Sequence, residues 1–268
     1  MPHYRIADTV TNTQVTLVQI DNYGPWTVTP EPRREVDLQT LQSRLYADLA
    51  QLVGNRGGYV FFTRFDNMLA VTNGLDREGH AMIQESIGNR YPVTVSFSVA
   101  AAETPASALS TATAQLQNAG SAQDDGRREI LRGDPIPDGE RSAEDVEIAH
   151  FDVEDATEKY TDELDAFDTF VHIEGGYYAL MRHLHQQEES LAFFVGGDNV
   201  IAVGAGLSRP AYDRAIDHVS DEAGVRLKVG VGRERDARSA GMAAKHALES
   251  CRENGTRIEG VPVTVGGD

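Results

Sequence analysis

The alternation of apolar and polar positions repeats itself along the chain. Tyr59 to Val71 reads YVFFTRFDNMLAV and Leu191 to Val203 reads LAFFVGGDNVIAV, an ungapped match at six of thirteen positions. Each copy is an apolar run, a polar turn and a second apolar run, the pattern of a β-hairpin. Upstream of each turn lies another apolar run ending in an aspartate, Gln14 to Asp21 (QVTLVQID) and Val146 to Asp152 (VEIAHFD). Downstream, YPVTVSFSVAA from Tyr91 faces GVRLKVGVGRE from Gly224, and an Ala-rich stretch follows each. The economical reading is two tandem copies of one unit of roughly 130 residues.

The first copy reads as a strand over 14–21, then a Pro-rich loop, then a helix over 33–52 with apolar residues at Val36, Leu38, Leu41, Leu45, Leu49 and Leu52. The hairpin follows, then a helix over 76–88, a strand over 92–101 and a helix over 104–118. That order is βαββαβ with a trailing helix: an α+β, ferredoxin-like unit whose helices cover one face of a four-stranded antiparallel sheet. The second copy predicts a strand at 146–152, a helix at 161–187, a hairpin at 190–204, a helix at 209–223, a strand at 225–232 and a helix at 235–252. The expected organisation is a flexible extension over 1–12, a first domain over 13–120, a polar linker over 121–145 and a second domain over 146–268. The apolar alternation VPVTV in the tail suggests an edge strand, and Gly230-Val231-Gly232 reads as a strand end opening into a turn.

Composition narrows the partners. Net charge is −18, from 42 acidic and 24 basic residues, and only Lys159, Lys228 and Lys245 are lysine. Such a surface repels nucleic acid and anionic membranes, and suits high salt, where counterions screen the self-repulsion. No apolar run approaches the about 18 residues of a membrane span, and no export signal is seen at the N-terminus, so a cytoplasmic protein is expected. Cys251 is the single cysteine, and the eight histidines show no HxxxH or HExxH spacing, which disfavours zinc and leaves the histidines as surface residues. There is no P-loop and no GxGxxG.

The candidate chemistry is carboxylate chemistry. In a βαββαβ layout the first strand and the hairpin are neighbours, so Asp21 and Asp66 are expected to meet at one sheet end. Paired carboxylates make an oxygen-only site suited to Mg²⁺, whose remaining ligands are water and phosphate oxygens; a nucleoside triphosphate is the matching substrate. Backbone N–H groups of Asn22, Tyr23, Gly24, Trp26 and Thr27 can face phosphates. Arg33 and Arg34 open a helix as phosphate forks or as a solvated start. Trp26 is either a loop anchor or a stacking platform. Asp152, with Asp155 beside it, and Asp198 in the second half mark either a second metal site or a decayed copy. The acidic stretch VEDATEKYTDEL lacks a counterpart to PEPRR, which puts the substrate in the first half.

Six blocks then resemble a known family: IDNYGPWTVTPEPRRE (Ile20 to Glu35), LQSRLYAD (Leu41 to Asp48), FFTRFDN (Phe61 to Asn67), GNRYP (Gly88 to Pro92), GSAQDD (Gly120 to Asp125) and FFVGGDN (Phe193 to Asn199). In this order, from about Thr13 to Arg257, they are similar to archaeal GTP cyclohydrolase III. The resemblance implies two tandem units like the palm of nucleotidyl cyclases and polymerases. It implies opening of the guanine imidazole ring of GTP at C8, giving 2-amino-5-formylamino-6-(5-phosphoribosylamino)pyrimidin-4(3H)-one and two phosphates. It further implies a two-metal Mg²⁺ site on Asp21 and Asp66, activation by K⁺, a homo-oligomer, and a place in riboflavin and deazaflavin (F420) biosynthesis. Asn67, Gln123 and Asp124, from the motif blocks, are candidates for reading guanine or placing water, with loop hydrogen bonding as their alternative. Two other classes share the palm: a nucleotide cyclase or cyclic-dinucleotide synthase, and a non-catalytic GTP sensor.

Overall fold

The computed structural model describes residues 12–64, 66–143, 145–156, 160 and 162–261. The expected extension over 1–12 lies, Asn12 apart, outside the described residues, as does the VPVTV alternation beyond Val261. The chain forms two compact units, Thr13–Arg141, and a second from Ser142 to Arg235 resuming at Ser239.

In the first unit the strands are β1 (Thr13–Ile20), β2 (Tyr59–Arg64), β3 (Asn67–Val71), β4 (Val95–Ala102) and β5 (Leu131–Arg132), in the order β2-β3-β1-β4-β5. The helices are α1 (Tyr23–Val28), α2 (Glu35–Gly54), α3 (Arg77–Gly88) and α4 (Pro105–Asn118). β1 pairs antiparallel with β3 and β4, and β5 pairs parallel with β4. The ferredoxin-like unit is therefore present, with one strand more than expected.

Period-two alternation sorts the side chains. Val18 and Ile20 of β1, with Val95 and Phe97 of β4, join Leu45, Leu49, Ile83 and Ile87 of α2 and α3 in one core. Leu17 and Ala100 face the other way and pack with Ala112 and Leu116 of α4. Helices thus cover both faces of the sheet, not one, because the trailing helix closes the second face. α3 is capped by Asp76, whose carboxylate accepts from the Gly79 amide, and α4 by Thr104.

The stretch expected as a linker is folded into the first unit as far as Arg141. Its backbone finds partners on β1, β4 and α3, which composition alone does not display. The Ile136 amide donates to Gln14 Oε1 at 2.7 Å, Phe97 N donates to Ile130 O at 2.7 Å, and Arg77 donates to Gly133 O at 2.8 Å.

The second unit repeats the plan with β6 (Val146–Val153), α5 (Ala166–Glu188), β7 (Leu191–Gly196), β8 (Asn199–Gly204), α6 (Arg209–Ala223), β9 (Leu227–Glu234), α7 (Ala237–Asn254) and β10 (Ile258–Glu259), in the order β10-β9-β6-β8-β7. Its core joins Phe151, Val153, Leu180, Leu184, Tyr212, Ile216, Val229 and Val231. Gly230 and Gly232 lie inside β9 and do not begin a turn. A Cβ at Gly230 would meet the backbone of Ala244 and Leu248, and one at Gly232 that of Ala240 and Ala244, so their bare backbone lets α7 lie directly on the strand.

Candidate functional site

β1 ends at Ile20 and delivers Asp21 and Asn22 to the sheet edge. Ile20 N donates to Asp66 O and Asp21 N to Thr94 O, each at 3.0 Å, so the two candidate aspartates do sit at one sheet end. Their side chains differ. Asp21 is buried, its side chain 1% exposed. Its carboxylate accepts from Thr94 Oγ1 at 2.8 Å, from the Ser96 hydroxyl, and from the Glu129 amide at 2.8 Å. Those partners belong to the β4–β5 side of β1, whereas Asp66 precedes β3 on the other side. Asp66 is about one-third exposed and pairs with Arg64 at 2.9 Å.

Asn22 stands at φ 50°, ψ 29°, a left-handed turn that asparagine tolerates, and starts the short α1. Its amide N donates to Ala122 O at 2.7 Å, and its side-chain amide donates to Asp125. Tyr23 Oη accepts from Gln42 Nε2 at 2.8 Å. Burial first, then the negative charges of Glu35 and Asp66, push the Tyr23 phenol above its ordinary value. Trp26 has the Arg33 guanidinium 4.0 Å from its ring centroid and Tyr23 stacked at 6.0 Å. Arg33 Nε also donates to Trp26 O at 3.0 Å, so Trp26 and Arg33 anchor the loop on each other. Arg34 pairs with Asp37 at 2.8 Å on the exposed start of α2. Trp26, Arg33, Arg34, Leu41 and Pro92 line a cleft of about 620 Å³.

The strap from Gly120 to Ile130 lies against this loop. Gln123 packs on Gly24, where an added Cβ would sit 3.3 Å from its Nε2. Asp124 accepts from the Gly126 amide at 2.9 Å, a bond local to its own loop. Asn67 accepts from Gln19 Nε2 at 2.9 Å. Arg127, which sequence reasoning missed, is 3% exposed, and its Nη1 lies 3.9 Å from Asp21 Oδ1. No local pattern separates it from exposed Arg128 beside it. The GNRYP block proves to be a brace on α2, with Tyr91 Oη donating to Asp48 Oδ2 at 2.6 Å and Arg90 pairing with the same carboxylate at 2.8 Å.

Strand register corrects the pairing of the two copies. Gln19 stands opposite Asn67 and Ser96, and Asp152 stands opposite Asn199 and Lys228. Asp152 is therefore the counterpart of Gln19, and Glu154, whose amide donates to Arg226 O as that of Asp21 does to Thr94 O, is the counterpart of Asp21. In the second unit Asp198 precedes Asn199 directly, beside Asp152. Burial first, and next the Asp152 charge, push the Asp198 carboxyl above its ordinary range. Asp152 pairs with Arg252 at 2.9 Å, and both aspartates line a cleft of about 450 Å³ with His150, Lys245, Glu249 and Arg252. Asp155 instead pairs with Arg226 at 3.3 Å.

These geometries test the fit to a divalent ion. Asp21 does not fit as a ligand: both its oxygens already accept hydrogen bonds, from Thr94, Ser96 and the Glu129 amide, and its side chain is only 1% exposed. Asp66, and the pair Asp152–Asp198, retain the open carboxylate chemistry of a hard-cation site. Among the described residues no group of three or more His, Cys, Asp or Glu converges, so water or phosphate oxygens would complete the shell.

The sequence profile of GTP cyclohydrolase III matches residues 15–266. The chain belongs to the GTP cyclohydrolase III family. GTP cyclohydrolase III of Natronomonas pharaonis is 70% identical over 250 residues, covering 93% of this chain and 99% of that one. The Methanothermobacter thermautotrophicus GTP cyclohydrolase III is 49% identical over 239 residues, covering 89% and 94%. Among solved structures, the GGDEF domain of DgcB from Caulobacter crescentus in complex with c-di-GMP matches 42% of this chain and 76% of its own at 11% identity and a TM-score of 0.36, a likeness too slight to carry inference.

Proposed function

We propose that this chain is a GTP cyclohydrolase that adds water at C8 of the guanine of GTP, opens the C8–N9 bond with the formyl group retained, and releases two phosphates. Family membership over nearly the whole chain carries this reading. The nucleotide lies at the first unit's loop, where Asn22, Tyr23 and Gly24 offer backbone, Arg33 and Arg34 offer positive charge, and Asn67, Gln123 and Asp124 offer polar edges. Mg²⁺, when bound, neutralises triphosphate charge, and Asp66 is the first unit's carboxylate for it. K⁺ activates, the chain works in the cytoplasm as a homo-oligomer, and its product feeds riboflavin and deazaflavin synthesis. Among the described residues no helix is long and apolar enough to cross a membrane.

A second reading places the Mg²⁺–triphosphate in the second unit, between Asp152 and Asp198 with Lys245 and Arg252 toward the phosphates. The observation favouring it is that these two carboxylates, unlike Asp21 and Asp66, share one open cleft. The activity test is incubation with GTP, Mg²⁺ and K⁺. Ring opening changes the purine ultraviolet spectrum and releases two phosphates per turnover; a cyclic nucleotide product with an unchanged purine spectrum would refute the assignment. Asp66→Asn and Asp152→Asn then separate the sites. The variant that raises the Mg²⁺ concentration for half-activation about tenfold or more marks the unit that holds the ion.

A further inference from the structure

The buried guanidinium of Arg127 is the feature the proposed function leaves unused. Its Nε, Nη1 and Nη2 are all shielded from solvent, and none has a hydrogen-bond acceptor among the described residues. A buried cation without an acceptor is costly unless a nearby anion compensates. Asp21, equally buried, is that anion, at 3.9 Å. The pair lies where the strap crosses the end of β1. On one side Asn22 holds Ala122 and Asp125. On the other, Asp21 holds the Glu129 amide, and the Ile130 amide donates to Ser96 Oγ at 3.1 Å. Gln123 and Asp124, both exposed, are suspended between these attachments.

We infer that Asp21 and Arg127 form a buried charge pair that positions the strap, and through it Gln123, against the Asn22–Gly24 loop. They are positioning residues for the reaction, and Asp21 does not ligate the divalent ion. The inference rests on the reading that this loop receives the nucleotide.

The two roles for Asp21 predict opposite consequences of removing its neighbour. If Asp21 bound a cation, deleting the Arg127 charge would lower the Mg²⁺ needed for half-activation, because a repulsive charge is gone. If the pair positions the strap, Arg127→Met raises the KM for GTP about tenfold and leaves the Mg²⁺ midpoint at saturating GTP unchanged. Arg127→Lys, which keeps the charge, loses less. Asp21→Asn behaves as Arg127→Met, and the double variant, with no lone buried charge, recovers most of the loss of either single one. Should Arg127→Met not fold, Asp21→Asn and the double variant carry the same comparison. A role in folding alone would lower the active fraction without moving KM, and would overturn the inference. So would a tenfold rise in the Mg²⁺ midpoint on Asp21→Asn. Hydrogen exchange of the unaltered protein with and without GTP separates the levels. Protection at residues 22–34 with an unmoved KM in Arg127→Met defeats this inference alone, while no protection there defeats the loop reading with it.

Discussion

At the scale of single residues, burial decides which titratable groups matter. His80, read from sequence as a surface histidine, is 1% exposed and sits under the first sheet. Its Nδ1 lies 2.6 Å from Asp76 O, a carbonyl that can only accept, so Nδ1 carries the proton. Nε2 therefore accepts from the Thr16 hydroxyl at 2.8 Å. Burial pushes the His80 pKa below its ordinary value. A histidine held neutral in the fold charges more readily once unfolded, so the unfolded chain binds more protons at mildly acid pH. Stability should hold above the ordinary histidine value of about 6.5 and fall as pH drops below it. Urea midpoints measured from pH 8 to pH 5 should show that fall, and His80→Gln should flatten it; an equal slope in both proteins would remove His80 as the cause. Asp198 runs the other way. Its raised carboxyl pKa means that ionisation at neutral pH opposes folding, so Asp198→Asn should raise the thermal midpoint at pH 8 more than at pH 5.

At the scale of elements, the legible and illegible parts separate by physical cause. Strands and helices buried on one face print a period of two or three to four residues on the sequence, so βαββαβ was readable in both halves. Helix α1 was not, because six residues in a Pro-rich loop carry no period. The strap was not, because its order comes from hydrogen bonds made far along the chain, 108 residues away to Asp21 at the end of β1 and 34 to Ser96 of β4. The candidate site was half legible. The loop from Asn22 to Arg34 and the hairpin Asp66 do border one sheet end, but matching the copies by their terminal aspartates misaligned Asp21 with Asp152. The ladder shows the two-residue shift, and the hydrogen bonds from Thr94, Ser96 and the Glu129 amide make Asp21 a buried brace. Gly230 and Gly232 likewise looked like turn residues because the helix lying on them is invisible locally. Gly230→Ala should therefore destabilise the second unit by about 3 kcal/mol, the upper end for overpacking, since backbone and not a movable side chain is in the way. Urea unfolding measures this; a loss under about 1 kcal/mol would mean that α7 shifts freely.

At the scale of the whole chain, the charge of −18 acts on every element at once. Like charges distributed over the surface repel, and folding brings them closer than in the expanded chain. The local ion pairs are mostly exposed, such as Arg257 with Asp213 and Asp217, and contribute little each. Added salt weakens both terms, but with 42 acidic against 24 basic residues repulsion dominates, so screening should stabilise the fold. At about 1 M salt the screening length falls to about 3 Å, shorter than the spacing of most surface charges. The unfolding midpoint without nucleotide should rise steadily between about 0.1 and 1 M KCl. NaCl should act alike in this range, which separates screening from any K⁺ requirement of turnover. Replacing several exposed glutamates of one unit by glutamine should reduce the salt dependence in proportion to the charge removed. A midpoint that is flat or falls with salt would show that self-repulsion does not limit this protein's stability.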